Sequence, residues 1–144
     1  PTEAEWEHAA RGGSGDLRFP WGEAEPDDTD TLPCNIWQGR FPDLNTGADG
    51  YITTAPARSF APNGYGLYNM VGNVWEWTVE PYKVRSMRKE AKAHMAARKG
   101  YKLLKGGSFL CHRSYCYRYR IAARTGNSPD STTTHQGFRV VFDG

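Results

Sequence analysis

The chain has 144 residues, too few for more than one domain, and a net charge of only +2. Leu, Ile, Val and Phe total 22, few enough to suggest disorder, but 19 residues are Phe, Trp or Tyr, each worth roughly 150–250 Å² of buried surface. The core is therefore expected to be aromatic and the fold turn-rich; no stretch approaches the ~20 apolar residues of a membrane span, and no signal peptide opens the chain.

In chain order, residues 2–11 read as a helix, with Thr2 as N-cap and Glu5 as its capping-box partner. A helix under way at Pro1 suggests that an N-terminal portion is lacking; a small domain that begins on a helix is the alternative. Residues 12–64 are mostly loop, with Gly-, Asp- and Asn-rich turns interrupted by short apolar pieces at 35–37 and 51–53. Residues 68–78 become apolar and aromatic and predict a bent strand around Trp75. Residues 103–109, 116–122 and 137–142 are further strand candidates. There is no internal repeat.

Residues 83–105 hold nine of the eighteen Lys and Arg residues and a single acid, Glu90. Val84, Met87, Ala91 and Met95 recur at helical spacing, so a basic amphipathic helix is expected within a segment spanning 83–102. The simplest reading is a solvated helical insertion. The other is a docking face for an acidic partner or nucleic acid. The lack of aromatics within 86–100 weighs against a single-strand nucleic-acid role.

Cys111 and Cys116 lie five residues apart. Neither a strand nor a helix points such a pair the same way, so joint action requires the backbone between them to bend. Gly106 and Gly107 allow close approach, and Tyr115, Tyr117 and Tyr119 alternate with Arg118 and Arg120 as a strand would. Such a pair among aromatics and arginines suggests a soft-metal or redox site. A disulfide is one alternative. A zinc site with His112 is another, but structural zinc wants four ligands, so Cys34 or a distant His would have to join. Three cysteines are an odd number, and a reducing compartment is the simpler reading.

Nine segments, read together, resemble the formylglycine-generating enzyme family, also called sulfatase-modifying factors. They are PTEAEWEHAARGG (1–13), FPWG (19–22), NIWQGRFPDLNTGADGY (35–51), TAP (54–56), PNGYGLYNMVGNVWEWT (62–78), KGGSFLCHRSYCYRYR (105–120), AAR (122–124), NSPDS (127–131) and GFR (137–139). The basic 80–102 segment is the one break. The wider superfamily shares the GNVWEW and GGS…GFR pieces, whereas the cysteine pair picks out the oxidase branch.

The resemblance implies an α+β domain over residues 1–144 with little regular secondary structure, of C-type-lectin-like fold and lacking its N-terminal part. It implies an enzyme that uses copper and O2 to convert a cysteine in a Cys-x-Pro-x-Arg motif of sulfatases to formylglycine. Cys111 and Cys116 would be the Cu(I) ligands, with Ser108 and Trp75 in the catalytic site. Soft Cu(I) accepts two thiolates and leaves room for the substrate's sulfur; hydrogen loss from the substrate Cβ gives a thioaldehyde that water hydrolyses. Ser114 matches a further active-site hydroxyl, with turn capping as its other role, and Arg118 and Arg120 are expected to pair with carboxylates. His135 and Gln136 occupy a stretch where the family usually has Asn.

Two calcium sites are implied as well. One uses Asn35, Asp49 and the carbonyls of Ile36 and Tyr51; the other uses Asn69, Glu76 and the carbonyls of Gly72 and Val74. Mixed side-chain and backbone oxygens suit this hard cation. Ala10, Ile121 and Val140 replace structural cysteines of animal relatives, which implies a bacterial-type, cytoplasmic protein. The expected partner is a sulfatase polypeptide, with no membrane or nucleic acid. The rival reading is a non-catalytic, calcium-binding lectin-like domain with vestigial thiols; a third is an interaction module acting through the basic segment.

Overall fold

The computed structural model describes residues 1–86 and 88–142. Helix α1 (Glu3–Arg11) forms where its capping box predicts: the Glu5 amide donates to the Thr2 hydroxyl at 3.2 Å, and the Thr2 amide donates to the Glu5 carboxylate at 2.7 Å. Gly12 ends it in the left-handed region, at φ 59°, where a Cβ would also meet the Gly64 nitrogen at 2.8 Å. The helix turns Trp6 and Ala10 into the core.

The remaining elements are β1 (Trp75–Pro81), α2 (Lys89–Ala96), β2 (Lys102–Lys105), β3 (Thr125–Asn127) and β4 (Gln136–Gly137). The strands form one sheet in the order β3-β2-β1-β4. β1 and β2 are antiparallel, with Glu76 opposite Lys105, and β4 runs parallel to β1, with Gln136 opposite Trp75. This is the α+β architecture with little regular secondary structure that the resemblance implies. The buried cluster is aromatic as expected: Trp6, Phe19, Trp75 and Tyr119 pack with Met70, Val71, Leu104, Ile121 and all three cysteines.

A charged cluster fastens α1 to the sheet. Lys105 is 0% exposed, and its ammonium lies 2.8 Å from Glu7 and 3.4 Å from Glu3. Glu3 also accepts from Arg124 at 2.6 Å and Arg85 at 2.9 Å. Burial alone would raise the Glu3 carboxyl, but the hydrogen bond from Arg124 and the charges of Lys105, Arg124 and Arg85 outweigh it and hold it below the usual carboxylate range.

Two strand expectations need correction. Residues 116–122 form no strand: the Cys116 amide donates back to the His112 carbonyl at 2.7 Å and the Arg118 amide to the Cys116 carbonyl at 2.8 Å. In 137–142 only Gly137 belongs to a strand; beyond it Phe138, Val140, Val141 and Phe142 are exposed. The third strand is instead Thr125–Asn127, a TGN segment with no apolar alternation. In the basic segment the helix is confined to Lys89–Ala96 and buries none of its residues; Ala91 and Met95 of the expected Val/Met stripe are half-buried. Val84 lies before it, and its amide donates to the Met95 sulfur at 3.4 Å; Met87 lies outside the described residues. The insertion's neck is closed by the Tyr82 amide donating to the Tyr101 carbonyl at 2.8 Å.

Candidate metal and redox site

The thiol loop leaves the sheet at Lys105. Gly106 and Gly107 both take positive φ, and a Cβ on Gly107 would stand 3.1 Å from the backbone of Tyr119. The chain then turns tightly: the Cys111 amide donates to the Ser108 carbonyl at 2.9 Å, and the Leu110 amide to the Ser108 hydroxyl at 3.3 Å. A second turn follows, in which the amides of Tyr115 and Cys116 both donate to the His112 carbonyl. These two turns supply the bend that a five-residue spacing demands. They bring the cysteine Cα atoms to 4.6 Å, and the pair is joined as a disulfide. That is the oxidised form of two thiols which reduction leaves side by side.

Cys111 and Cys116 are 1% and 6% exposed, yet both line an open groove of about 360 Å³. Its walls include Trp75, Leu104, Phe41 and Tyr115, with Phe41 stacked on Tyr115 at 4.3 Å. Ser108 also lines it, so the structure places Ser108, Trp75, Cys111 and Cys116 around one space. Among the described residues of its lining there is no carboxylate. Two adjacent sulfurs without a competing carboxylate among the described lining residues fit a soft ion such as Cu(I). The zinc alternative falls short of four ligands: His135 lines the groove with the two cysteines, but His112 is turned towards Ser114 and Asp28, and Cys34 lines a separate apolar pocket with Pro33, Met70 and Val71. Burial and the Asp49 carboxylate push the Cys34 thiol up, away from the thiolate form.

The two residues that stand where the family usually has Asn both line the groove. The Gln136 Oε1 and His135 Nδ1 atoms are buried and have no hydrogen-bond partner. Burial lowers the pKa of His135, which favours the neutral ring. Arg118 lines the groove but is exposed, and Arg120 donates to the Tyr117 carbonyl at 2.9 Å and lies over the Tyr117 ring. Neither has a carboxylate partner among the described residues; Arg124 and Arg139 take that role.

Of the first calcium set, the Ile36 carbonyl and the Asp49 carboxylate lie close together. The Gln38 amide nitrogen lies 2.5 Å from the Ile36 carbonyl and 3.1 Å from the Asp49 carboxylate, so those two oxygens already face one point. The Asn35 Oδ1 atom is buried and unpartnered, and burial raises the Asp49 carboxyl. An orphaned amide oxygen, a carboxylate and a backbone carbonyl are donor types that suit a hard cation. The second set is different. Glu76 accepts from Arg139 at 2.6 Å and from the Trp6 indole at 2.6 Å, and Arg139 also donates to the Asn69 carbonyl at 3.4 Å. A guanidinium thus already supplies positive charge beside Asn69, Val74 and Glu76, and as they stand these residues offer no free carboxylate to a cation.

Comparison with known proteins places this geometry. The family model "Sulfatase-modifying factor enzyme 1-like domain" matches residues 1–144. The formylglycine-generating enzyme of Thermomonospora curvata is 53% identical over 99% of this chain and 48% of its own length. That of Mus musculus is 51% identical over 99% of this chain and 38% of its own. A Bos taurus protein named inactive C-alpha-formylglycine-generating enzyme 2 is 41% identical, over 98% of this chain and 42% of its own. The chain thus spans half or less of the curated relatives it matches. Among solved structures, Treponema denticola variable protein 1 superposes with a TM-score of 0.63 at 26% identity, over 96% of this chain and 45% of that one.

Proposed function

The chain belongs to the sulfatase-modifying factor enzyme 1-like family, and on that premise we propose that it is the thiol-bearing part of an oxidase that converts a sulfatase cysteine to formylglycine. The substrate cysteine lies in a Cys-x-Pro-x-Arg motif, the metal is copper and the oxidant is O2. The observation that carries this reading is the pair Cys111 and Cys116, side by side on an aromatic-walled groove without a carboxylate among its described lining residues.

Cys111 and Cys116, once reduced, would hold Cu(I) as thiolates. Bound there, copper supplies the one-electron and O2 chemistry that protein side chains lack. The protein contributes placement and shelter. Ser108 fixes the turn that presents Cys111, through its carbonyl and its hydroxyl. Trp75, Leu104 and Tyr115 exclude water from one side of the guest peptide. Gln136 Oε1 and neutral His135 accept N–H donors of that peptide and orient its cysteine towards the sulfur pair. Calcium at the Asn35, Ile36, Asp49 and Tyr51 set acts as a structural clip. At the Asn69, Gly72, Val74 and Glu76 set it would have to draw Glu76 away from Arg139, so binding there is weaker.

The test is to incubate the reduced, copper-loaded protein with a Cys-x-Pro-x-Arg peptide under air. The expected product has lost its thiol and gained an aldehyde, read by mass spectrometry. A second reading, a calcium-binding domain without catalysis, is favoured only by the likeness to the protein named inactive, at lower identity. It predicts an unchanged peptide and a melting temperature that still responds to calcium.

A further inference from the structure

The loop between the two cysteines is pinned from outside by a residue 83 positions before Cys111. His112 is buried, and its ring is hydrogen-bonded at Nδ1 and faces a carboxylate at Nε2. Nδ1 lies 2.6 Å from the Ser114 hydroxyl and accepts the Ser114 amide at 3.2 Å. An acceptor at Nδ1 puts the ring proton of the neutral form on Nε2. Nε2 is buried and makes no hydrogen bond, and the one carboxylate facing it among the described residues is Asp28, at 3.5 Å. That separation is long for a hydrogen bond, but it is the only charged partner the ring has among the described residues.

Asp28 is itself held in place. The neighbouring Asp27 carboxylate accepts the amides of Thr29, Asp30 and Thr31 at 2.9, 2.8 and 2.9 Å, and the Asp27 amide donates to the Thr31 carbonyl at 3.0 Å. This Asx turn fixes residues 27–31 without help from the thiol loop. The same His112 whose ring meets Asp28 accepts, through its carbonyl, the amides of Tyr115 and Cys116. The ring and the carbonyl therefore act on one hinge: the ring sets where residue 112 sits, and the carbonyl sets where Cys116 returns beside Cys111.

We infer that Asp28 is a positioning residue for the thiol pair, acting through His112 to keep the 111–116 loop closed so that the two sulfurs are preorganised as neighbours. Asp28 does not touch the sulfurs; it narrows the range of separations they sample. A pair confined in this way behaves as though each thiol saw the other at high effective concentration. The inference concerns the copper site of the proposed function, but the geometry it describes exists without metal.

The test therefore starts with metal-free intact protein. Parent, Asp28→Ala and Asp28→Asn are equilibrated in glutathione buffers of graded ratio. The reaction read is oxidation of the Cys111 and Cys116 thiols to a disulfide: the two thiols lose two electrons and two protons, and one glutathione disulfide becomes two glutathione thiols. Alkylation and peptide mass mapping separate this pair from Cys34. Asp28→Ala is expected to shift the equilibrium about five- to tenfold towards the dithiol, with its melting temperature near that of the parent, because Asp28 is a partly exposed loop residue. Asp28→Asn keeps an oxygen acceptor for Nε2–H and is expected to stay within about twofold of the parent. Anaerobic Cu(I) affinity should follow the same order. Equal behaviour of all three proteins in the thiol equilibrium, or equal loss in both variants, would overturn the inference. Failure of the parent to bind copper, with the Asp28→Ala shift intact, would count against the proposed function and leave the positioning role standing.

Discussion

The Trp37 amide donates to the Cys111 carbonyl at 2.9 Å, so the loop that carries Asn35 and Ile36 is tied directly to the loop that carries the first thiol. The tie is repeated in the side chains. Trp37 packs edge-on against Phe41 at 5.1 Å, and Phe41 stacks on Tyr115 between the two cysteines. A cation at the first calcium set would therefore act on the thiol pair through packing and one backbone hydrogen bond.

Calcium removal should lower the melting temperature and also weaken Cu(I) binding by several-fold. A ligand that binds only the folded state stabilises it by about 2.7 kcal/mol at a hundredfold excess over Kd. Thermal melts in chelator, and again after calcium is restored, read the first effect. Asp49→Ala should melt like the chelated parent and ignore calcium. An Asp49→Ala protein that responds to calcium as the parent does would reject this site.

Glu3→Gln should destabilise the protein by about 3 kcal/mol, because it leaves the fully buried Lys105 with Glu7 as its one anionic partner and removes the negative charge facing Arg124. The acid dependence follows from the lowered Glu3 carboxyl. A depressed folded pKa contributes stability that is fully present above the unfolded value, about 4.3, and is lost as pH falls through the folded one. Chemical denaturation at pH 7 and at pH 3 should thus show a gap between parent and Glu3→Gln that narrows in acid. A gap that is constant with pH would contradict the assignment.

Asp27 should titrate at about 2, because the amides of Thr29, Thr31 and Asp30 hold its carboxylate. The turn's contribution is present above the unfolded pKa of about 3.9 and is lost as pH falls through about 2. Carbon-detected NMR titration of the carboxyl reads this directly. A midpoint near 3.9 would mean that the turn does not persist in solution.

Replacing residues 88–99 by a short Gly/Ser linker should leave Cu(I) affinity within about threefold of the parent. The helix there buries nothing, the Tyr82–Tyr101 hydrogen bond closes the neck, and Arg85 stays in place to meet Glu3. Loss of copper binding in a deletion protein that still folds would show that the insertion shapes the groove.

Much of the local structure is legible in the residues. Thr2 and Glu5 announce α1 because a capping box is a contact of three residues' range. Trp75 marks β1, and the cysteine pair marks the candidate site. What the residues conceal is long-range. The Tyr115, Tyr117 and Tyr119 alternation mimics a strand, but amide bonds back to His112 and Cys116 coil the chain instead. Thr125–Asn127 has no strand-like composition; it pairs because Leu103 and Leu104 present an edge to it. The partners of Glu76, Trp6 and Arg139, lie 70 and 63 residues away, and no local pattern connects them. The same holds for Asp28 and His112.

Whether Cys111 and Cys116 together make a copper site is decided by anaerobic titration of the reduced protein with Cu(I). The account predicts tight one-to-one binding that is abolished in Cys111→Ser and in Cys116→Ser and kept in Cys34→Ser, with two sulfur neighbours of the chain in the X-ray absorption spectrum. Binding that survives loss of either paired cysteine, or that disappears with Cys34, would contradict it.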